Sequence, residues 1–352
     1  MTQASTVTGS ARIAEENRKS IARRNLRTGL LFTAPALIVL AVFVFYPAIE
    51  TFIVSLTNNR INRAGKFIGF ENYVKLFHSA DFWTDVRNTL FYAVLYAPLV
   101  VIVALAFALL LNRKDLKFVG FFRTCMFLPF VISLTVAAIA WNFILSPSLG
   151  LVPYWASQLF GIEHLNLLGT RSTAMATIVF ITVWKNFGYF MVIFLAGLQG
   201  ISAELYEAAS LDGANSWQKF WHITIPALRP TFNYIVIFGL IGAFQVFDQV
   251  FILTSGGPDR ATETIVYRIY TEAFGNGKLG YASALSYVLL IMTLIVGLIQ
   301  LYTNAKHEKE ELACPPQPSS RTAHPKNTTR TSACAAGRQP VAVGDLASVT
   351  WP

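Results

Sequence analysis

Charge is scarce in this chain. Asp, Glu, Lys and Arg together make up 13% of its 352 residues, about half their share in an ordinary soluble domain. So few charges cannot solvate the surface of several soluble domains, and that class is excluded. Cysteine is nearly absent too. Cys125, Cys314 and Cys334 fall into neither a metal spacing nor a disulfide framework. The five histidines stand apart at positions 78, 164, 222, 307 and 324, and there is no HExxH, nucleophile elbow or Cys/His cluster. Nothing matches G-x-x-x-x-G-K-[ST], and Gly277-Lys278 lacks the rest of that pattern. The chain is therefore expected to bind no metal or cofactor, to hydrolyse no ATP itself, and not to be an enzyme. The formal net charge of +9 does not signal nucleic acid, because the basic residues flank apolar runs instead of forming a patch.

What the chain has is apolar length. Six runs reach the roughly 20 residues that cross a bilayer core: 30–54, 89–111, 124–145, 173–199, 230–254 and 281–303. Lipid offers no partner to open backbone groups, so each run is predicted to be a helix. The fold class is an all-α membrane protein, a six-helix transmembrane bundle. Pro35, Pro47, Pro98 and Pro129 lie in or beside these runs, where membrane helices tolerate them. The first run is too long for a signal peptide and has no convincing cleavage site, so it is read as a retained span.

Orientation follows the basic residues. With the N-terminus in the cytoplasm, the inside segments hold 14 Lys and Arg and the outside loops nine, which places both termini in the cytoplasm. The chain then reads as a basic segment 1–28, a six-span domain 29–305 with a cytoplasmic loop 200–229, and a tail 306–352. From about 312 the tail is Pro-, Ser-, Thr- and Ala-rich and is expected to be disordered. In the outer loops, GFENYVKLF (Gly69 to Phe77) and the Tyr154-Trp155 pair suit the headgroup level. Ser255-Gly256-Gly257-Pro258 is a turn signal, and the TETIVYRIYTEAF that follows reads as a surface helix.

Loop 200–229 is the most structured polar stretch. Ser202 is a predicted N-cap with Glu204 in the first turn. The helix is predicted to end near Gly213, which takes a left-handed turn without a Cβ clash. Asn215 or Ser216 starts a second helix with Trp217, Phe220 and Trp221 on one face, and Pro226 and Pro230 are predicted to stop it. The elbow reads either as an interfacial anchor for the fifth span or as a surface that a partner grips.

Polar residues inside spans usually face a cavity or a partner. Gln245, Asp248 and Gln249 stand at i, i+3 and i+4, with Gly242 continuing the stripe. Thr182, Asn186 and Tyr189 form a second line, with Lys185 beside it and within long reach of Asp248. A route for a hydroxyl-rich solute and plain helix-to-helix hydrogen bonding both account for these residues.

Glu207-Ala208-Ala209, Asp212-Gly213-Ala214, Phe220, Ile223 and Pro226 resemble the EAA signature of permease subunits in binding-protein-dependent ABC importers. Ile225 stands where Leu is usual. Tyr46-Pro47, GFENY from Gly69, WKNFGYFMVIFLAGLQ from Trp184 and LTSGGPDRATETIVYRIYTEAF from Leu253 are similar to the carbohydrate branch, in particular the first permease of maltose- or glycerol-phosphate-type heteromeric pairs. The likeness spans residues 28–305. It implies a multi-pass protein of the bacterial plasma (inner) membrane that moves a sugar. It implies that Glu207, Ala208, Ala209, Asp212, Gly213, Ala214, Phe220 and Pro226 form a coupling contact with a separate ATPase subunit, which uses the ATP. It also implies a second permease subunit, an extracellular or periplasmic solute-binding protein, and a route that Asn186, Tyr189, Gln245, Asp248 and Gln249 would line. A secondary transporter or channel working alone is the alternative; it would need internal repeats or an ion-coupling charge network, and no clear repeat is present.

Overall fold

The computed structural model describes residues 25, 28–113, 115–162 and 165–312. The readings of the N-terminal segment and of the tail beyond 312 fall outside the described residues. The architecture is all helical: among the described residues, β structure is limited to two isolated bridges, Thr57 with Phe67 and Arg60 with Arg63.

Among the described residues, four helices are long and apolar enough to span a membrane: α1 (Thr28–Ser55), α3 (Ala80–Leu111), α7 (Ala174–Gln199) and α13 (Leu279–Leu312, of which Leu279–Asn304 is the apolar part). Two bent pairs, each counted as one span, bring the number to six. Helices α4 (Val119–Val131) and α5 (Leu134–Ile144) meet at 95°; α9 (Ser216–Ala227) and α10 (Arg229–Phe244) meet at 65°. The shorter helices are α2 (Glu71–His78), α6 (Leu151–Phe160), α8 (Ala203–Leu211), α11 (Asp248–Leu253) and α12 (Ile265–Tyr270).

The six apolar runs are thus helical, but two of them are not single helices. The third breaks at Ile132 and Ser133, whose ψ angles of 137° and 138° are extended. The fifth ends its helix at Phe244 and resumes at Asp248. The second starts at Ala80 instead of 89. Proline behaves differently from expectation as well. Pro226 does not stop the elbow helix, which continues to Ala227 and turns into α10. A wide π-turn, Phe220–Thr224, lies just ahead of Pro226, and another, Ala41–Phe45, lies just ahead of Pro47. In each, the wider turn takes up the clash between the proline ring and the carbonyl four residues back.

The chain divides into two compact units, one of residues up to 76 with 272–287, the other of residues 77–271 with those from 288 on. In the first unit, Asn72 donates to the carbonyls of Ser55 and Thr57, both at 2.8 Å, and the Tyr287 hydroxyl donates to the Ala48 carbonyl. Asn72 and Leu76 are buried there, so GFENYVKLF is an anchored helix as well as an aromatic one.

The second unit is organised on α3 and α7. Lipid tails are as apolar as leucine, so these helices associate through close packing and hydrogen bonds, not through escape from water. Small residues permit it: Ala93, Ala97, Ala104 and Ala108 form a buried stripe along α3, beside Ile178, Ile181, Met191 and Phe194 of α7. Gly188 is the tightest point. A Cβ built there would lie 2.0 Å from the Met126 carbonyl oxygen of α4. Gly188→Ala is expected to push α4 off α7 and lower stability by about 1–3 kcal/mol, as overpacking does. Gly239→Ala, where a Cβ meets nothing within 4 Å, is expected to be neutral or stabilising. Thermal unfolding in detergent compares the two.

Candidate functional site

The elbow is built by capping. Ser202 Oγ accepts from the Glu204 backbone N–H at 3.3 Å and starts α8. At its other end Asp212 is the C-cap and Gly213 has φ +78°. The Gly213 N–H reaches the Ser210 carbonyl at 3.1 Å and the Ala214 N–H reaches the Ala209 carbonyl at 2.9 Å. This is the paired bonding of a glycine-closed helix end. Asn215 and Gln218 then form a reciprocal capping box, with bonds of 2.8 and 2.9 Å. Two side-chain bonds brace the helices together: Tyr206 hydroxyl with Thr224 Oγ1 at 2.9 Å, and Lys219 Nζ to Ser210 Oγ at 2.6 Å.

The predicted caps at Ser202, Gly213 and Asn215 are therefore all present, and Trp217, Phe220 and Trp221 make mutual ring contacts. Glu207, Ala208 and Asp212 are exposed and Ala209, Ala214, Phe220 and Pro226 are half-buried. Ala209, Asp212, Gly213 and Ala214 line a hollow of about 360 Å³ on the inner side of the elbow, with Lys219 and His222 opposite.

The second site is a cavity of about 170 Å³ among α3, α7 and the break in the fifth span. It gathers Asn186, Gln245, Asp248 and Gln249 with Tyr92 and Tyr96, whose rings stack 5.6 Å apart. Asn186 donates to the Tyr96 hydroxyl at 2.9 Å. The expected reason for this grouping is corrected: Gln245 is the C-cap of α10 and Asp248 opens α11, so no continuous helix face joins them. The break brings them together. Tyr189 does not line the cavity; it stacks on Phe130 at 4.6 Å and bonds the Tyr234 hydroxyl at 3.0 Å. The reach from Lys185 to Asp248 is not made either. Lys185 Nζ donates to the Phe130 carbonyl at 3.1 Å and sits over the Phe130 ring. Phe130 lies in the last turn of α4, where carbonyls lack partners within the helix, so this lysine caps a broken span.

The break at 245–247 is held by loop 254–271. Thr264 Oγ1 donates to the Val246 carbonyl at 3.1 Å in a buried position. The loop is in turn fastened to the start of α3. Asn88 Nδ2 donates to the carbonyls of Arg260 and Glu263 at 2.9 and 3.0 Å, and the Ile265 N–H donates to Thr89 Oγ1 at 3.1 Å. Arg268 Nε pairs with the fully buried Asp85 at 2.9 Å and with Glu263 at 3.2 Å, while Arg260 bonds Asp81 and Glu263. Burial opposes the charge on Arg260, but hydrogen bonds to Glu263 and Asp81 outweigh it and hold its pKa above the ordinary value. Arg268 is raised in the same way, burial being outweighed by Asp85. The predicted surface helix is thus corrected: Thr262, Glu263, Thr264 and Ile265 are all buried. This cluster was missed in the sequence, although Asp81, Asp85, Asn88 and Thr89 share one helical face.

With both sites in view, comparisons with known proteins decide the family. Residues 65–307 match the family described as binding-protein-dependent transport system inner membrane component. The chain belongs to that family. It is similar to the probable ABC transporter permease YurN of Bacillus subtilis, 40% identical over 275 residues that cover 77% of this chain and 94% of YurN. The lactose transport permease LacF of Rhizobium radiobacter is 35% identical over 82% of this chain and 98% of its own length. Among solved structures, a chain of a bacterial alginate ABC transporter, crystallised with an alginate-bound periplasmic protein, superposes with a TM-score of 0.69 at 25% identity. That match covers 80% of this chain and 94% of the other. The protein is therefore an inner-membrane transport subunit and not an enzyme, and an importer of this family works with a solute-binding protein and an ATPase.

The loop clamp generates a test. Arg268→Met leaves the Asp85 carboxylate buried without its main partner and is expected to lower stability by about 3–5 kcal/mol. Adding Asp85→Asn to that variant is expected to restore most of the loss. Thermal unfolding of the single and double variants reads both outcomes.

Proposed function

We propose that this chain is a permease subunit of an ATP-driven sugar importer, and that its 200–229 elbow seats on a separate ATPase subunit. The observation that carries this reading is the elbow itself. Its two helices are locked at a fixed angle by a glycine-closed end, a capping box and the Tyr206–Thr224 and Lys219–Ser210 bonds. The residues that match the family signature cluster at that turn. A rigid, exposed elbow can transmit a rigid-body push; a floppy loop cannot. ATP would be consumed by the partner, whose closure would drive the elbow and switch the route between inward- and outward-facing states.

The charge bias of the loops supports cytoplasmic termini and a cytoplasmic elbow. Loops at the opposite end would receive the solute-binding protein. Relatives named for lactose, arabinooligosaccharides and trehalose/maltose support a sugar as cargo. On this reading a second, different permease would stand beside this one. Asn186, Gln245, Asp248 and Gln249 would form this chain's share of the route. Their amides and carboxylate match the donors and acceptors of sugar hydroxyls.

Position 213 tests the coupling role. Asparagine tolerates a left-handed backbone and a β-branched residue does not. Gly213→Asn is therefore expected to keep much of the uptake, Gly213→Val to lose it through the backbone, and Gly213→Asp to lose it through the charge it adds beside the exposed Asp212, all with membrane insertion intact. Co-purification with the ATPase subunit should fall in the same order; equal uptake in all three variants would sink the coupling role. For the route, replacing Asn186, Gln245 and Asp248 together by Ala is expected to raise the apparent KM for the imported sugar by about tenfold or more, the effect of losing two or three net hydrogen bonds. Transport assays with the complete importer measure it.

A further inference from the structure

The cavity among α3, α7 and the fifth-span break has a charge character that family membership leaves open. Among the described residues, eleven line it, and none of these is Lys, Arg or His; Asp248 is the one carboxylate among them. The cations that come near it in sequence or along the chain are committed elsewhere. Lys185, the neighbour of Asn186, is turned to the Phe130 carbonyl and ring. Arg260 and Arg268 are held by Asp81, Asp85 and Glu263 at the loop end. The remaining polar groups are neutral: the amides of Asn186, Gln245 and Gln249, the hydroxyls of Thr182, Tyr92 and Tyr96.

An anionic group entering this space meets the Asp248 carboxylate and, among the described residues of this chain that line it, no cation. A buried or half-buried anion without a partner is strongly disfavoured, and a like charge within about 4–6 Å worsens it. An uncharged hydroxyl meets the opposite situation, since an ionised carboxylate is a strong acceptor. An ammonium group does better still.

We propose that the cargo passing this cavity is an uncharged or amine-bearing sugar, and that Asp248 is the residue that turns away sugar acids and sugar phosphates. This rests on the sugar reading above. Proteins that this chain resembles differ in the charge of their cargo: one solved structure is of an importer of the acidic polysaccharide alginate, and the relative UgpA is named for sn-glycerol-3-phosphate. Similarity of the bundle therefore does not fix the charge of the cargo.

Two measurements on the complete importer test the proposal. In the first, proteoliposomes with the binding protein receive a mixture of lactose, arabinose, glucosamine, glucuronate, glucose 6-phosphate and glycerol 3-phosphate, plus neutral and acidic amino acids. Mass spectrometry then identifies what ATP carries inside. Accumulation of the neutral or amine-bearing sugars is expected. Accumulation of any anion as the main product overturns the charge rule, whereas import of a neutral non-sugar overturns the sugar reading and leaves the charge rule supported.

The second measurement removes the binding protein, which also selects. Equilibrium binding of the imported solute and of its carboxylate derivative is compared on the assembled membrane complex. The wild type is expected to prefer the uncharged form by at least about tenfold, the effect of a partly screened repulsion at close range. Asp248→Asn, near-isosteric and uncharged, should bring the two affinities within about threefold of each other while thermal unfolding stays unchanged. A preference that survives Asp248→Asn overturns the role of Asp248. A wild type that binds the carboxylate form equally well overturns the proposal as a whole.

Discussion

A backbone group inside a membrane has no water to fall back on, and the second unit of this protein depends on how that constraint is met at two places. The third and fifth spans are both broken, and each break strands carbonyl groups that an intact helix would have used. Lys185 Nζ takes the Phe130 carbonyl, and Thr264 Oγ1 takes that of Val246. One partner lies 55 residues along the chain and the other 18. Each also has a reason to be where it is that its own local sequence does not show. A lysine within a span is expensive, but less so where it removes another debt of the same kind.

The two repairs have different reach. Lys185 fastens α7 to α4 beside the tight Gly188 contact, so it stabilises a helix junction. Thr264 belongs to a loop that is itself locked to the start of α3 through Asn88, Thr89, Asp85 and Asp81. The geometry of the cavity wall at Gln245–Asp248 therefore depends on ion pairs between the loop that follows it and the start of α3, far away in sequence. Anything that loosens Arg260 or Arg268 from their carboxylates frees Thr264, and with it the segment that lines the cavity. The loop is a strut, and the surface helix expected from its composition would have been only a cover.

How much of this could be read from the residues depended on whether the signal was local. The elbow could be, almost bond for bond, because capping is a matter of residue types within a few positions: Ser202, Gly213, Asn215 and Gln218 each act on neighbours in the chain. The spans could be found for the same reason, as length and composition are local quantities. The breaks could not. Ile132-Ser133 and Gln245-Val246-Phe247 carry no glycine or proline at the break itself, and what makes them affordable is a partner 55 or 18 residues along the chain. Asn186, Gln245, Asp248 and Gln249 line one cavity, but the helical face read for Gln245, Asp248 and Gln249 does not exist. Tyr189 was assigned by the same periodicity and points to Phe130 and Tyr234. The buried charges of the loop clamp looked like ordinary loop residues, since pairing across the fold leaves no periodic trace.

The elbow leaves large apolar side chains uncovered: Leu211 is 90% exposed, Trp217 68% and Trp221 48%. These side chains sit on the elbow hairpin, at the surface proposed to seat on the ATPase. On that reading, a copy made without its partner displays apolar surface that the contact would cover, the kind of surface that cellular quality control reads as misfolding, and the elbow would double as an assembly checkpoint.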